Sequence, residues 1–366
     1  MSAERSLATI IEGRSLVVVA GSGGVGKTTV SAALGLAAAE HLDGDVLVLT
    51  IDPARRLASA LGIEIDGNDA VAITNDTKNT LYGAMLDPGK AWDAMIRRDA
   101  TDDVAERILV NPVYRRIADT FVHGNEYAAL GWLDEALASQ KYRLVIVDTP
   151  PAQNALDFFD APEKVSDFFT SSLLGWLTGG GDGTLVASAA AKSFGALADR
   201  LLGAEFFADV VEFFQLMNSV VPGMVERTAQ VAADLAGDDA AFVAVAAPAD
   251  DMVSRLGQLG DSLAERELTF DGVVINGVEP EVFWQPKVKD VAERIANDDR
   301  SPLSAARTSL LRPGAEYVIE RADVAQAQRL VIDELSVETV TTLPRLVHSP
   351  TDIAGLREIG ELLWTK

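Results

Sequence analysis

One short glycine-rich segment limits the fold of this chain more than any other feature. Residues 21–28 read GSGGVGKT, fit the pattern GxxxxGK[ST], and lie between an apolar run at 16–20 and a helical pattern. Glycines allow backbone dihedrals that point successive N–H groups into a concave anion site, beside the positive end of the following helix. The segment therefore predicts a phosphate-binding loop with a strand before it and a helix after it.

This loop predicts ATP and Mg²⁺ as ligands. The Lys27 ammonium is expected to reach the β- and γ-phosphates and to act in catalysis, while the Thr28 hydroxyl ligates magnesium. The predicted nucleotide-binding residues in the loop are Gly21, Ser22, Gly23, Gly24, Val25, Gly26, Lys27, Thr28 and Thr29. The same letters also satisfy GxGxxG, with Asp52 placed as a ribose-binding acid, so a dinucleotide-binding fold is the main alternative. Lys27 and Thr28 would have no role in that fold.

Apolar runs separated by long helical stretches define the rest of the architecture. The runs are residues 16–20, 46–51, 81–85, 144–147, 242–246, 273–275 and 337–343. Because they show little polar alternation, they predict strands buried on both faces, as in a doubly wound, mainly parallel α/β sheet. We expect a single phosphate-loop NTPase domain over residues 1–366, with a helical subdomain inserted at 88–140 and 155–238.

Two aspartates follow predicted strands and are candidates for the chemistry. Asp148 begins DTPP directly after the run at 144–147, where a carboxylate can hold magnesium through water. Asp52 begins DPARRL after the second run, where it can orient or deprotonate the attacking water. The alternative for Asp148 is a capping aspartate before a proline turn, and the alternative for Asp52 is a helix N-cap with Pro at the first helical position.

The base of the nucleotide has two candidate contacts near the end of the chain. The Asn276 side-chain amide offers a donor and an acceptor that suit the edge of adenine. Asn276-Gly277 is equally a strong hairpin signal, so a turn is the alternative. Pro344 ends the last predicted strand at the same edge of the sheet, and the loop at 345–349 could cover the base.

These motifs, in this order, resemble those of the ArsA family over essentially the whole chain. That family includes arsenical-pump ATPases and guided-entry ATPases that deliver tail-anchored membrane proteins, within the deviant-Walker class that also holds MinD, ParA and the nitrogenase iron protein. GSGGVGKTT resembles the family's GKGGVGKTT, and TIDPA at 50–54 resembles its first switch. DTPPAQNAL at 148–156 resembles the second switch, and VVIN at 273–276 resembles its adenine-reading segment. The resemblance implies that Asp52 positions water, Asp148 assists magnesium, Asn276 contacts adenine, and two subunits close around ATP.

The chain departs from the family pattern at two positions. Ser22 stands where the family has a second, signature lysine that reaches the phosphates of the facing subunit, and Asn154 stands where the second switch has His. A hydroxyl cannot supply the charge that compensates an anionic transition state. We therefore expect slow hydrolysis, compensation by Arg55 or Arg56, or a lysine-bearing paralogous partner. The dimer is accordingly either a homodimer or a heterodimer with a paralogous ATPase.

Composition excludes several kinds of partner. The 366 residues contain no cysteine, which removes thiolate sites for arsenite and any cysteine-zinc clamp between subunits. The net charge of −24 and the lack of a basic cluster argue against nucleic acid. No apolar run approaches the roughly 20 residues of a transmembrane segment, and no secretory leader is recognised, so a cytoplasmic protein is expected.

Two helical segments in the second insertion carry broad apolar faces. These faces comprise Val165, Phe168, Phe169, Leu173 and Trp176, and then Phe206, Phe207, Val210, Val211, Phe213, Phe214, Met217 and Val221. They predict either a groove for a hydrophobic client or membrane protein, or ordinary packing between helices. The sequence thus favours an ATPase that drives client delivery or a transporter, with a nucleotide-dependent scaffold as the alternative. A positioning ATPase like MinD fits less well because no basic amphipathic helix ends the chain.

Overall fold

The computed structural model describes most of the chain. The described residues are 6–51, 56–61, 68–74, 76–118, 124–151, 157–170, 204–297, 302–335, 337, 339–346, 350 and 352–365. Among the predicted functional residues, Asp52 lies outside these ranges, as do Arg55 and Asn154, and so do Leu173 and Trp176 of the apolar faces.

Eight strands of the described chain form one sheet. They are β1 (Leu16–Ala20), β2 (Val46–Thr50), β3 (Val71–Thr74), β4 (Leu81–Met85), β5 (Leu144–Asp148), β6 (Ala240–Ala246), β7 (Gly272–Val278) and β8 (Val340–Pro344). Their order in the sheet is β3-β4-β2-β5-β1-β6-β7-β8. Among these eight strands, β3 and β4 pair antiparallel, and the other neighbouring strands pair in parallel.

The sheet confirms the predicted fold class, because each of the seven apolar runs overlaps one strand. Four central strands, β1, β2, β5 and β6, are buried along their whole length. In β1, Leu16 and Val18 belong to the core on one face of the sheet, and Val17 and Val19 belong to the core on the other. Burial on both faces explains why these runs lack polar alternation.

Helices cover both faces of this sheet. One face carries α1 (Leu7–Glu12), α2 (Lys27–His41) and α3 (Arg56–Leu61), together with the last helix of the chain at Ile353–Thr365. The other face carries α4 (Pro88–Asp99), α5 (Asp102–Val110), α6 (Pro112–Ala118), α7 (Gly124–Ala138), α8 (Asp157–Thr170), α9 (Ala204–Leu235) and α10 (Met252–Ala264). Of these, α4 to α7 follow β4, whereas α8 and α9 follow β5.

The helices from the two long connections pack against one another. Phe213 and Met217 of α9 share one buried core with Tyr127 of α7. A polar contact joins α9 to a second helix of the first connection, because Arg227 of α9 forms an ion pair with the buried side chain of Asp99 at the end of α4. The two connections therefore form one helical layer against the sheet.

This packing also decides between the two interpretations of the apolar faces for most of their described members. The side chains of Val165, Phe169, Phe213, Phe214, Met217 and Val221 are buried, so they pack between helices. Phe168 is 37% exposed, and Phe206, Phe207, Val210 and Val211 are half-buried. The packing interpretation is therefore confirmed for the six buried residues.

A helical hairpin separates β7 from β8. After a short 3₁₀ turn at Glu281–Trp284, α11 (Pro286–Ala296) and α12 (Pro302–Asp333) pack together through Ala292, Ala296 and Ala315, and α13 (Ile353–Thr365) follows β8. The Glu279 side chain, 3% exposed, accepts a hydrogen bond at 2.9 Å from Arg321 of α12. Within the described ranges, no helix combines the length and the apolar character needed to cross a membrane.

Candidate functional site

The predicted phosphate loop lies at the carboxyl edge of the sheet, where the strand order reverses. The chain leaves β1 toward β2 on one side and later returns to β6 on the other side of β1. In open α/β sheets, ligands bind outside the carboxyl ends of the strands at such a reversal. The loop runs from Gly21, after the end of β1, to the start of α2 at Lys27.

Two glycines allow the loop to take this path. A Cβ at Gly21 would lie 2.1 Å from the carbonyl oxygen of Val245 in β6, so a larger residue would push the loop away from the sheet. Gly26 has a φ of 95°, which side-chain-bearing residues rarely adopt, and it immediately precedes α2. The loop therefore turns tightly over β1 and presents its backbone at the amino end of α2.

Lys27 points back across the loop. Its Nζ atom donates hydrogen bonds to the carbonyl oxygens of Gly21 at 3.0 Å and Ser22 at 3.1 Å. The residue is 8% exposed, so its ammonium group is held at the loop rather than in bulk solvent. This arrangement keeps a positive charge at the position where an anion bound by the loop would lie.

A hydroxyl and a carboxylate meet beside the loop. Thr28 Oγ1 donates a hydrogen bond of 2.7 Å to Oδ2 of Asp148, whose residue is fully buried at the end of β5. Strand pairing explains the contact, because β5 lies next to β1 and Asp148 is in register with Val19. The sequence placed both residues in a magnesium site, and the structure brings their side chains together.

Two further threonines, one bonded to this carboxylate and one next to it in the chain, were not recognised in the sequence. Thr50, in register with Asp148 at the end of β2, donates to the same Oδ2 atom at 3.0 Å. Thr149 donates through Oγ1 to the carbonyl oxygen of Val19 at 2.8 Å, which ties the segment after β5 to the strand that precedes the loop. The signal that could have identified them is their position at the ends of β2 and β5, close in sequence to Asp52 and Asp148.

Asn276 contacts the phosphate loop directly. Its Nδ2 atom donates to the carbonyl oxygen of Val25 at 2.8 Å. The hairpin alternative for Asn276 and Gly277 is wrong, because β7 continues through both residues to Val278 with an irregularity in its pairing to β8. Gly277, with a φ of 88°, supports this bulge rather than a turn between strands.

Pro344 closes the neighbouring strand at the same edge. It ends β8 and pairs with Val278, and the next residue, Arg345, donates its backbone N–H to the carbonyl oxygen of Val278 at 2.6 Å. Asn276 and Pro344 therefore lie on adjacent strands, on the far side of β6 from the loop's own strand. Their predicted contact with adenine stays a prediction.

The remaining loop residues differ in exposure. Gly23 and Gly24 are exposed, Ser22 and Thr29 are half-buried, and Val25 is buried. The exposed glycines leave the top of the loop open to an incoming ligand. The loop thus contains Lys27 and Thr28, with Asp148 bonded to Thr28 and Asn276 bonded to the carbonyl oxygen of Val25.

Several known ATPases are similar to part of this chain in sequence. The ATPase get3 of Aspergillus terreus is 30% identical over 163 residues, which cover 43% of this chain and 47% of that protein. The ATPase GET3 of Podospora anserina is 28% identical over 162 residues, which again cover 43% of this chain and 47% of that protein. The ATPase ASNA1 homolog of Plasmodium chabaudi chabaudi is 25% identical over 162 residues, covering 44% of this chain and 40% of that protein. The matched part thus spans less than half the length of each of these relatives.

A family-level comparison covers much more of the chain. Residues 14–298 match the family described as Anion-transporting ATPase, ArsA. This range contains the phosphate loop, Asp148 and Asn276, and it argues against the dinucleotide-binding alternative. Because the match extends over well more than half of the 366 residues, the chain belongs to the ArsA family of anion-transporting ATPases.

Proposed function

We propose that this protein binds ATP with Mg²⁺ in the cytoplasm, hydrolyses it, and uses the cycle as a dimer to drive a membrane-associated process. The observation that carries the proposal is the convergence of Lys27, Thr28 and Asp148 at the phosphate loop. A phosphate-binding backbone, an ammonium group and a hydroxyl–carboxylate pair are the parts that phosphoryl transfer from ATP requires. Family membership supports the same conclusion.

Lys27 has the main binding role in this proposal. Its ammonium contacts the carbonyl oxygens of Gly21 and Ser22. An incoming triphosphate offers more negative charge than two carbonyl dipoles, so the ammonium exchanges these contacts for the β- and γ-phosphates. During hydrolysis the water oxygen bonds to the γ-phosphorus, the bond to the bridging oxygen breaks, and ADP leaves with its electron pair. The water proton passes to the released phosphate.

The chemistry of Thr28 and Asp148 fits a magnesium ion. Mg²⁺ binds oxygen donors and keeps several of its waters, so one hydroxyl and one nearby carboxylate suffice for a protein site. Thr50 and Thr28 both donate to Asp148 Oδ2, which holds the carboxylate in position before any ion arrives. When bound, the metal neutralises charge on the phosphate oxygens. Asp52 is the residue we propose to position the attacking water, on sequence grounds.

The helices at 88–140 and 155–238 are proposed as the subdomain that responds to the nucleotide. Support comes from chain connectivity, because α8 follows Asp148 and the second switch segment in sequence. Client delivery and transporter energisation both remain within the proposal. Arsenite held by thiolates does not, because this sequence has no cysteine.

A nucleotide-dependent scaffold is the second candidate, and Ser22 favours it. With a hydroxyl at this position, the loop itself provides one ammonium group, that of Lys27, toward the transition state. Binding without efficient turnover would then be the functional event. A lysine-bearing paralogue as partner would restore the charge, and this is the reason for proposing a heterodimer.

ATP hydrolysis and nucleotide binding by purified protein test the proposal. Wild type, Lys27→Ala and Asp148→Asn are compared by steady-state phosphate release with Mg²⁺ and by calorimetric titration with ATP. We expect Lys27→Ala to lower kcat by about 100-fold or more, as for loss of a charged group facing the transition state. Lys78→Ala is the matched control, since that exposed lysine pairs with Asp43 away from the loop.

Each outcome has a defined meaning. ATP binding with equal hydrolysis by wild type and Lys27→Ala favours the scaffold. Absence of binding heat from folded wild type refutes the nucleotide site itself. Sedimentation velocity with and without ATP and Mg²⁺ tests the dimer, and a monomer at every nucleotide concentration contradicts it.

A further inference from the structure

Two cavities adjoin the phosphate loop on the β6 side, and four residues line both of them: Ser22, Asp251, Arg255 and Leu259. Ser22 and Arg255 line a cavity of about 90 Å³ that also touches Gly21. They also line a cavity of about 640 Å³ that meets the chain at Gly23 and Pro151. Among the described residues that line either cavity, Arg255 contributes the only basic side chain.

The sheet explains why Arg255 is there. β6 pairs with β1 in parallel, with Ala244 in register with Ala20 just before the loop. The chain leaving β6 enters α10 at Met252, so the first turn of α10, including Arg255, lies beside the phosphate loop. The backbone of Arg255 is therefore placed beside the loop by the pairing of β6 with β1.

Arg255 is held by a neighbour that can release it. Its Nε and Nη2 atoms contact Oδ2 of Asp251 at 2.7 Å and 2.6 Å. The two side chains are 55% and 51% exposed, and they stand four residues apart on the chain. Exposed pairs of this kind contribute little to stability because water screens them. A phosphate group offers a guanidinium a more highly charged, bidentate partner.

We propose that Arg255 leaves Asp251 and binds the terminal phosphate of ATP held by the loop of the same chain, in place of the charge that Ser22 lacks. The larger cavity supports the terminal phosphate as the target, since it meets the start of the loop at Gly23 and the segment after Asp148 at Pro151. Negative charge on the transferred phosphoryl group is what a fixed cation stabilises in the transition state. The inference rests on the proposed function and names a further residue of that site.

Kinetics of matched variants test this role. We expect Arg255→Ala to reduce kcat by about tenfold or more, with Arg255→Lys intermediate because an ammonium keeps the charge but not the bidentate geometry. Arg329→Ala is the control, since Arg329 forms a similar exposed pair with Asp333 on α12, and its kcat should equal that of wild type. Asp251→Asn should keep or raise kcat, because it frees the guanidinium.

Rescue experiments separate a chemical role from a structural one. Guanidinium ion at non-denaturing concentration should restore part of the activity of Arg255→Ala and none of that of Lys27→Ala. Ser22→Lys should restore turnover in the Arg255→Ala background, because it returns an ammonium group to a residue that lines the same two cavities. Failure of both rescues in a folded variant would overturn the proposal.

Binding provides a readout that does not depend on turnover. Arg255→Ala should raise the Kd for a non-hydrolysable ATP analogue about tenfold more than the Kd for ADP. This is the loss of affinity expected for one charge-assisted hydrogen bond. An unchanged ratio of the two Kd values, with nucleotide still bound, refutes the role of Arg255 and leaves the proposed function standing. No binding of either nucleotide by wild type refutes both.

Discussion

The contact between Asn276 and the phosphate loop gives a quantitative prediction for Gly26→Ala. A Cβ at Gly26 would lie 2.3 Å from Nδ2 of Asn276, the atom that donates to the carbonyl oxygen of Val25. Gly24 is the matched control, because its φ of 80° is similar and no other described atom beyond its chain neighbours lies within 4 Å of its Cβ position. The two variants therefore share the backbone cost and differ in the contact.

The expected free energies follow from these geometries. A side chain in the left-handed region costs about 1–2 kcal/mol, which applies to Gly24→Ala and Gly26→Ala alike. Displacing the Asn276 amide adds about 1 kcal/mol for its hydrogen bond and about 1 kcal/mol for crowding. We therefore expect Gly26→Ala to lower the free energy of unfolding by about 2 kcal/mol more than Gly24→Ala.

Urea unfolding of nucleotide-free protein, followed by far-UV circular dichroism, measures the difference. The same two substitutions are repeated in an Asn276→Ala background. There the methyl group at Gly26 meets no amide, so Gly26→Ala should cost no more than Gly24→Ala. Equal losses in the wild-type background, or an excess for Gly26→Ala that survives removal of the Asn276 side chain, would refute the reasoning.

Three further predictions concern the helical layer. Phe213→Ala, at a 1% exposed side chain in the α8–α9 interface, should cost about 3–5 kcal/mol, while Phe168→Ala, at a 37% exposed one, should cost about 1 kcal/mol in the same urea assay. Arg227→Ala should lower the free energy of unfolding by about 2–3 kcal/mol. The loss is smaller than for a fully buried partner, because Arg98 still lies 3.8 Å from Asp99. Arg227→Lys should recover part of this free energy. Burial raises the pKa of Tyr127, so the native state keeps this phenol protonated above its ordinary pKa of about 10 and stability should fall as pH rises beyond that value. Unfolding of Tyr127→Phe should lack this component of the alkaline dependence, and an identical pH profile would contradict the assignment.

The sheet could be predicted from sequence because its strands are buried on both faces. Runs such as 46–51 and 144–147 contain little polar alternation, and in the structure every residue of the corresponding strands, β2 and β5, is buried. β3 was missed for the opposite reason. It has four residues, it is partly exposed, and its pairing with β4 is irregular between Ala72 and Thr74, so neither length nor periodicity identifies it.

The site was partly predictable for a related reason. Lys27, Thr28 and Asp148 follow from local motifs, whereas Thr50 becomes relevant only when β2 and β5 are paired in register. Asn276 shows the limit of local signals, since Asn-Gly favours a hairpin but β7 continues its pairing with β8 past this residue through a bulge. What a residue contacts across the sheet is not encoded within its own segment.

The strand that ends in Asp148 is attached to the helical layer at both ends. Residues 139–143 join it to α7, and residues 149–156 join it to α8. Asp148 is in register with Val19 of β1 and Thr50 of β2, so the sheet restrains its sideways movement. A ligand that repositions its carboxylate therefore acts on the two helices through covalent tethers of a few residues.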